Sequence, residues 1–295
     1  IRGNLRKPGP VAPRRFLQAL AGRSPPSFKT GSGRLELARS IADPRNPLTA
    51  RVLVNRIWMH HFGQGLVTTP ANFGIQGTRP SHPALLDWLA FEFMESGWNL
   101  KRLHRLIVTS TAYRQVATRS ETLDAIDPDN RLLGRMTVRR LEAETLRDSL
   151  LALSGRLLRK MHGPPAPVSL DSVGQRVIVS ANQYDPSGRL LRNVAALGED
   201  EFRRTIYIQV RRSMPLGVLE PFDLPTLKPN CELRIFSTNA PQSLMMMNDP
   251  FVIQQVNGLA ARIQDVTEKD PEARFQLAWR LVFGRTPTDD QRRAG

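Results

Sequence analysis

Cysteine is almost absent from this sequence. Cys231 stands alone, which excludes a disulfide within the chain and a metal cage built from cysteines. A lone thiol suits an oxidising or a reducing compartment equally, so it carries no information on location. No stretch approaches the roughly 18 consecutive apolar residues that suggest a membrane-spanning helix. No initiator methionine and no secretory leader are visible in the sequence, which opens at Ile1, and Gly295 follows closely on a helix start at Thr286-Pro287-Thr288-Asp289-Asp290. The expectation is an internal piece of a longer polypeptide, for which a missing leader excludes nothing. No segment recurs at a fixed period. Two catalytic spacings are also missing, His-Glu-x-x-His and Gly-x-Ser-x-Gly.

Lysine is scarce as well. Only six of the 42 basic residues are lysine, an arginine bias that a GC-rich genome produces without any demand for binding. The net charge is +15, and residues 1–51 hold eleven basic residues against Glu36 and Asp43. A basic surplus of this kind raises polyanion binding as a reading. Here the surplus falls in a stretch broken by Pro8, Pro10, Pro13, Pro25 and Pro26, with Gly31 and Gly33 at its end. Such a stretch reads as an extended leader over residues 1–32, not as a packed recognition surface. Nucleic acid is therefore not the expected partner.

What is present is a core and a helical pattern. The chain is 40% hydrophobic, enough to bury a real interior. A short helix is expected over 34–42, stopped by Asp43-Pro44. The next has Asn46 as N-cap and Pro47 in its first turn, and runs to Phe62 before Gly63 and Gly65. Its apolar residues cover more than half its girth, so burial on more than one side is expected. Residues 66–80 read as a loop. Ser81 is expected to cap a helix opened by Pro83, and Asn99 the helix that carries Leu103, Leu106 and Ile107. A long helix is expected over 139–161, from the spacing of Leu146, Leu150, Leu153, Leu157 and Met161. Residues 176–179 and 205–210 are rich in β-branched side chains and read as short strands around a glycine-containing loop. A proline-punctuated stretch over 215–230 follows, then helices opened by Asp249-Pro250 and Asp270-Pro271.

Several segments, in order, resemble one family. They include Gly31-Ser32-Gly33-Arg34-Leu35-Glu36-Leu37-Ala38 and Asn46-Pro47-Leu48-Thr49-Ala50-Arg51-Val52-Leu53-Val54-Asn55-Arg56-Ile57-Trp58-Met59-His60-His61-Phe62-Gly63. Further on stand Arg139-Arg140-Leu141-Glu142-Ala143-Glu144, Arg203-Arg204-Thr205-Ile206-Tyr207 and Ala240-Pro241-Gln242-Ser243-Leu244. Together they resemble the planctomycete cytochrome-associated C-terminal domain of unknown function. The resemblance implies an extracytoplasmic location and upstream domains of the same polypeptide as partners, among them a c-type-cytochrome-like module. It brings no catalytic residues. Haem is not expected in this chain, because no Cys-x-x-Cys-His occurs in it.

The polar residues that invite a chemical reading are Asn55, Arg56, His60, His61 and His82, a candidate polar pocket. Adjacent helical positions point about 100° apart, so His60 and His61 do not readily share one ion, and no metal is expected. His104 and Asp87 are the residues folding would have to add. The structural reading gives Arg51, Asn55, Arg56 and His60 a hydrogen-bond network to the loop at 66–80. Glu142 and Glu144 read as two faces of a solvated helix, not as a paired acid and base. Met245, Met246 and Met247 read as core filler.

The expected architecture is mainly α, bundle-like, with a small β element near 175–210. Its parts are the basic leader 1–32, a helical lobe 33–165, a mixed loop and β insertion 166–235 and a helical segment 236–295; residues 33–295 can also form one domain. The leading functional expectation is a binding or scaffolding module of a large exported protein. A hydrolase built on Arg56, His60, His61 and His82 is the alternative, and polyanion binding by the basic N-terminus the second.

Overall fold

The computed structural model describes residues 6, 9, 10, 12–22, 25–171, 173–179, 197–225, 231–267 and 270–294. The fold is mainly α, as the periodicity predicts. The chain forms two compact units, Ile1–Arg139 and Arg140–Gly295. The division falls within the stretch 33–165 that the sequence pattern groups together.

The first unit holds α1 (Gln18–Ala21), α2 (Arg34–Ile41), α3 (Thr49–Phe62), α4 (Pro83–Glu95), α5 (Leu100–Thr109) and α6 (Glu121–Ile126). Where described, the N-terminal segment folds back: Arg15 bridges Ser27, and Arg14 Nη1 donates to the Gly31 carbonyl at 2.7 Å. The core lies between α3, α4 and α5. Val54, Ile57, Trp58 and Phe62 pack there against Leu86, Leu89, Phe93, Leu103 and Ile107. Each such side chain contributes about 1.5–3 kcal/mol through burial, and the Trp58 and Phe62 rings stack at 4.2 Å.

Two expected caps are displaced. Thr49 starts α3, behind Leu48, and Asn46 instead ties α2 to α3: its Oδ1 accepts from Leu48 N, its Nδ2 donates to Ile41 O. At α4, His82 takes the N-cap position without a side-chain cap bond. Pro83 forces the residue before it out of the helical region, so Ser81 falls one position too early and hydrogen-bonds the His82 ring at 3.0 Å. Asn99 caps α5 as expected, accepting from Arg102 N at 3.1 Å. The short α6, capped by Ser120, has too few turns to show a periodicity.

The second unit holds α7 (Ala143–Leu153), strands β1 (Val168–Leu170) and β2 (Arg176–Ile178), and then α8 (Ala240–Asn248), α9 (Pro250–Thr267), α10 (Pro271–Phe283) and α11 (Asp289–Ala294). The strands pair antiparallel, Val168 opposite Ile178. Helix α7 is shorter than its leucine spacing predicts. Gly155, at φ +80°, turns the chain away, and the N–H groups of Arg156 and Leu157 both return to Leu151 O. The expected strand at 205–210 is also absent: Thr205–Tyr207 form a 3-10 turn, and only Ile208 bridges Ala166. From α7, Asp148 takes the N–H and hydroxyl of Thr205 and Arg147 donates to the same hydroxyl, which holds the start of this turn away from a strand ladder. Residues 180–196 of the loop expected between the two strands, and residues 226–230, lie outside the described residues, and Gly198–Phe202 at the end of that loop form a 3-10 turn.

Asp249 and Asp270 cap α9 and α10 as anticipated. Helix α8 escapes the sequence pattern, although Asn239 and Gln242 form a full capping box at its start. Met245 and Met246 pack on the second core, whereas Met247 is exposed.

Candidate functional site

In the first unit, Asn55 is fully buried and spends its amide on the loop after α3. Its Oδ1 accepts from Val67 N at 2.8 Å and its Nδ2 donates to Val67 O at 2.9 Å. The neighbouring Gly65 admits this clasp, because a Cβ there would sit 2.6 Å from Val67 O. This is the hydrogen-bond network to the loop that buried polar groups require. Arg51 turns to Asp87 instead, at 2.6 Å.

Arg56 and His60 point to solvent. The carbonyls of His60 and His61 accept from Arg139 Nη2 at 3.0 and 3.3 Å, which satisfies two groups at the end of α3. His61 meets His104, with 2.8 Å between Nε2 and Nδ1, and packs edge-on against Tyr113 at 5.5 Å. Burial, and then the charges of His104, Arg139 and His60, push the His61 imidazole below its ordinary basicity. His82 stays with Ser81. The structure thus joins His61 to His104, while Asn55 is committed inside and Arg56 and His60 face out. Among the described residues, no three His, Cys, Asp or Glu gather as a metal site.

A concavity lies wholly in the second unit. Its volume is about 970 Å³, at the upper end of the range for ligand sites. One wall is a single face of α7, formed by Thr145, Asp148, Ser149 and Ala152 at helical spacing. Another is residues 204–206 and 208–212, and Pro215, Leu216, Leu219, Leu224 and Pro225 complete the aliphatic part. Among the described residues, no aromatic side chain lines it.

Its polar groups are held in fixed places. Arg234 donates to both oxygens of Glu144, at 2.7 and 2.9 Å, and lies 3.4 Å from Glu142. Burial pushes the Glu144 carboxyl up, but the Arg234 hydrogen bonds and charge outweigh it, and the group sits below its ordinary value. Asp148 Oδ1 accepts from Thr205 N at 2.7 Å and Thr205 Oγ1 at 2.6 Å, with Arg204 at 3.6 Å from its other oxygen. Beneath this wall Arg147 is buried, donating to Arg203 O, Thr205 Oγ1 and Glu201 O, its guanidinium 5.4 Å from the Phe251 ring. Desolvation lowers its pKa to about 10, although Asp148 and Glu201 oppose the shift.

The placement of Glu142 and Glu144 corrects the reading of a solvated helix with diverging carboxylates. Glu142 precedes α7 in extended conformation (ψ 150°), so helical spacing does not apply to it, and both carboxylates turn to Arg234. Arg140 is likewise engaged, donating to Asp223 at 2.6 Å and to Ser237 O at 3.0 Å. The one sequence signal that pointed here was the charge density of Arg139-Arg140-Leu141-Glu142-Ala143-Glu144. Its partners lie some ninety residues downstream.

A mainly α-helical domain with an aliphatic-walled cavity and a preformed ion-pair cluster is the class these observations define. The chain belongs to the family described as PSD1, protein of unknown function (DUF1553), whose model matches residues 33–295. No curated protein and no solved structure matches it.

Proposed function

We propose that this chain is a binding module of a large exported protein, and that the cavity beside α7 holds an extended peptide segment from a neighbouring domain of the same polypeptide. The observation that carries this reading is the wall made by residues 204–206 and 208–212. Residues 205–207 form a 3-10 turn and Ile208 is extended, and in both conformations successive side chains point in different directions. Where nearly every consecutive residue lines a cavity, the main chain itself borders it, as in the recognition of extended peptides. Aliphatic walls suit peptide side chains, and among the described residues none of the lining groups is an aromatic of the kind on which nucleobases stack. The fixed carboxylates favour binding over proton transfer: Glu144 stays ionised against Arg234, and Asp148 is occupied by Thr205. The family resemblance supports an extracytoplasmic, planctomycete-type protein with a cytochrome-like domain upstream. Any c-type haem would belong to that domain.

The test is photo-crosslinking in the full-length protein with p-benzoylphenylalanine in place of Ser149, mapped by mass spectrometry. Crosslinks to an aliphatic-rich segment before this chain are expected. Crosslinks confined to residues of this chain, or none, overturn the reading.

A further inference from the structure

The first unit carries a groove of its own, about 710 Å³ in volume. One wall is the outer side of α3, where Leu48, Val52 and Arg56 recur at four-residue spacing. The facing wall comes from the N-terminal segment and α2, with Leu17, Leu37 and Ile41 among its residues. Helix α3 therefore has two apolar sides: one supplies the core, and the other is left in a concavity whose facing residues are 40–65% exposed. Apolar surface gathered in a concavity marks a binding site.

The charge of this groove is uncompensated. Arg15 and Arg56 line it, and among the described residues neither side chain has an ion pair or hydrogen bond. Three carboxylates of the same unit are already taken: Glu36 by the N–H groups of Lys29 and Thr30, Asp43 by Arg45, and Asp87 by Arg51. An aliphatic trench with two unpaired guanidinium groups complements a molecule with a long apolar tail and an anionic head. We infer that the groove binds a single-chain anionic amphiphile, a long-chain carboxylate, with its tail on α3 and its head on Arg15 and Arg56. A trench walled from two sides encloses one chain, whereas a bilayer surface meets a protruding apolar face. This site is independent of the cavity beside α7.

The test titrates the chain with monomeric dodecanoate and, in parallel, with dodecyltrimethylammonium, by isothermal calorimetry. Saturable one-to-one binding of dodecanoate is expected, with Kd on the order of 100 µM: the 12-carbon chain alone supplies roughly 1 mM, and the two guanidinium groups about fivefold each. Arg15→Ala and Arg56→Ala should each weaken it about fivefold. Val52→Trp should abolish it by filling the trench. If that variant does not fold, exposed Arg56→Glu serves instead, and should abolish the preference for the anionic head group because it sets one negative charge beside Arg15. Absent binding, equal affinity for both head groups, or indifference to the two arginines overturns the inference. So does tighter binding to phosphatidylglycerol vesicles than to the monomer, which would mark a membrane-contact surface.

Discussion

Arg234 meets Glu144 across ninety residues of sequence, with two parallel hydrogen bonds of 2.7 and 2.9 Å. The same guanidinium lies 3.4 Å from Glu142, so one cation holds two carboxylates at the edge of the cavity. Removing it leaves two like charges facing each other in a partly desolvated place. Arg234→Ala should cost about 2 kcal/mol, read as a lowered urea midpoint, and Glu144→Gln less, because it removes one of the two negative charges.

The same pair sets an acid limit. The Glu144 carboxyl lies below its ordinary value of 4.5 in the folded chain. An acid with a depressed folded pKa contributes stability above the unfolded value, and that contribution is lost as pH falls through the folded value. Stability of the chain should decline below about pH 4.5, and Glu144→Gln should flatten this part of the profile. An unchanged slope in pH-dependent melts would show that the ion pair does not couple to folding.

Buried Arg147 holds three oxygen acceptors from the 201–205 segment. Arg147→Ala should cost about 3–5 kcal/mol, because those groups lose their donors in a dry place. Arg147→Lys should rescue little of this, since an ammonium cannot reproduce the planar fork. Denaturant unfolding of both variants checks the difference.

Asn55 and Gly65 form one device around Val67. Asn55→Ala strands the N–H and C=O of Val67 and should cost about 3 kcal/mol. Gly65→Ala should destabilise comparably, since the added methyl would meet Val67 O at 2.6 Å and both Asn55 amide atoms at 2.8 Å. The two losses should not add in the double variant, because both break the same clasp.

His61 gives the first unit a separate pH response. Its folded pKa lies below 6.5, so protons favour the unfolded chain as pH falls below that value, and stability drops. His61→Gln should remove this step, and the ring protons of His61 should titrate below pH 6.5 by NMR.

The elements that the sequence announced are those whose signals are local. Asn99, Asp249 and Asp270 each cap through an N–H two or three residues ahead. The two-sided apolar pattern of α3 is likewise visible over fourteen consecutive residues. Local signals failed where another group overrode them. Asp148 and Arg147 of α7 hold Thr205 in a 3-10 turn where a β-branched run predicts a strand, and Gly155 cuts short a leucine repeat that periodicity would have continued. Ser81 and Asn46 are capping residue types, but Pro83 and the Ile41 carbonyl redirected them.

The sequence by itself determined the mainly helical class, the places where most long helices begin, and the family. Helix periodicity and capping act within a turn or so, and family motifs are read residue by residue. Only the tertiary structure decided which polar groups meet. His61 finds His104 at a separation of 43 residues, Asp148 finds Thr205 at 57, and Glu144 finds Arg234 at 90. Spacing along a helix sets the direction of a side chain relative to its own element, whereas its partner is chosen by packing. The cavity beside α7 follows for the same reason: its walls come from segments with no local signal of each other.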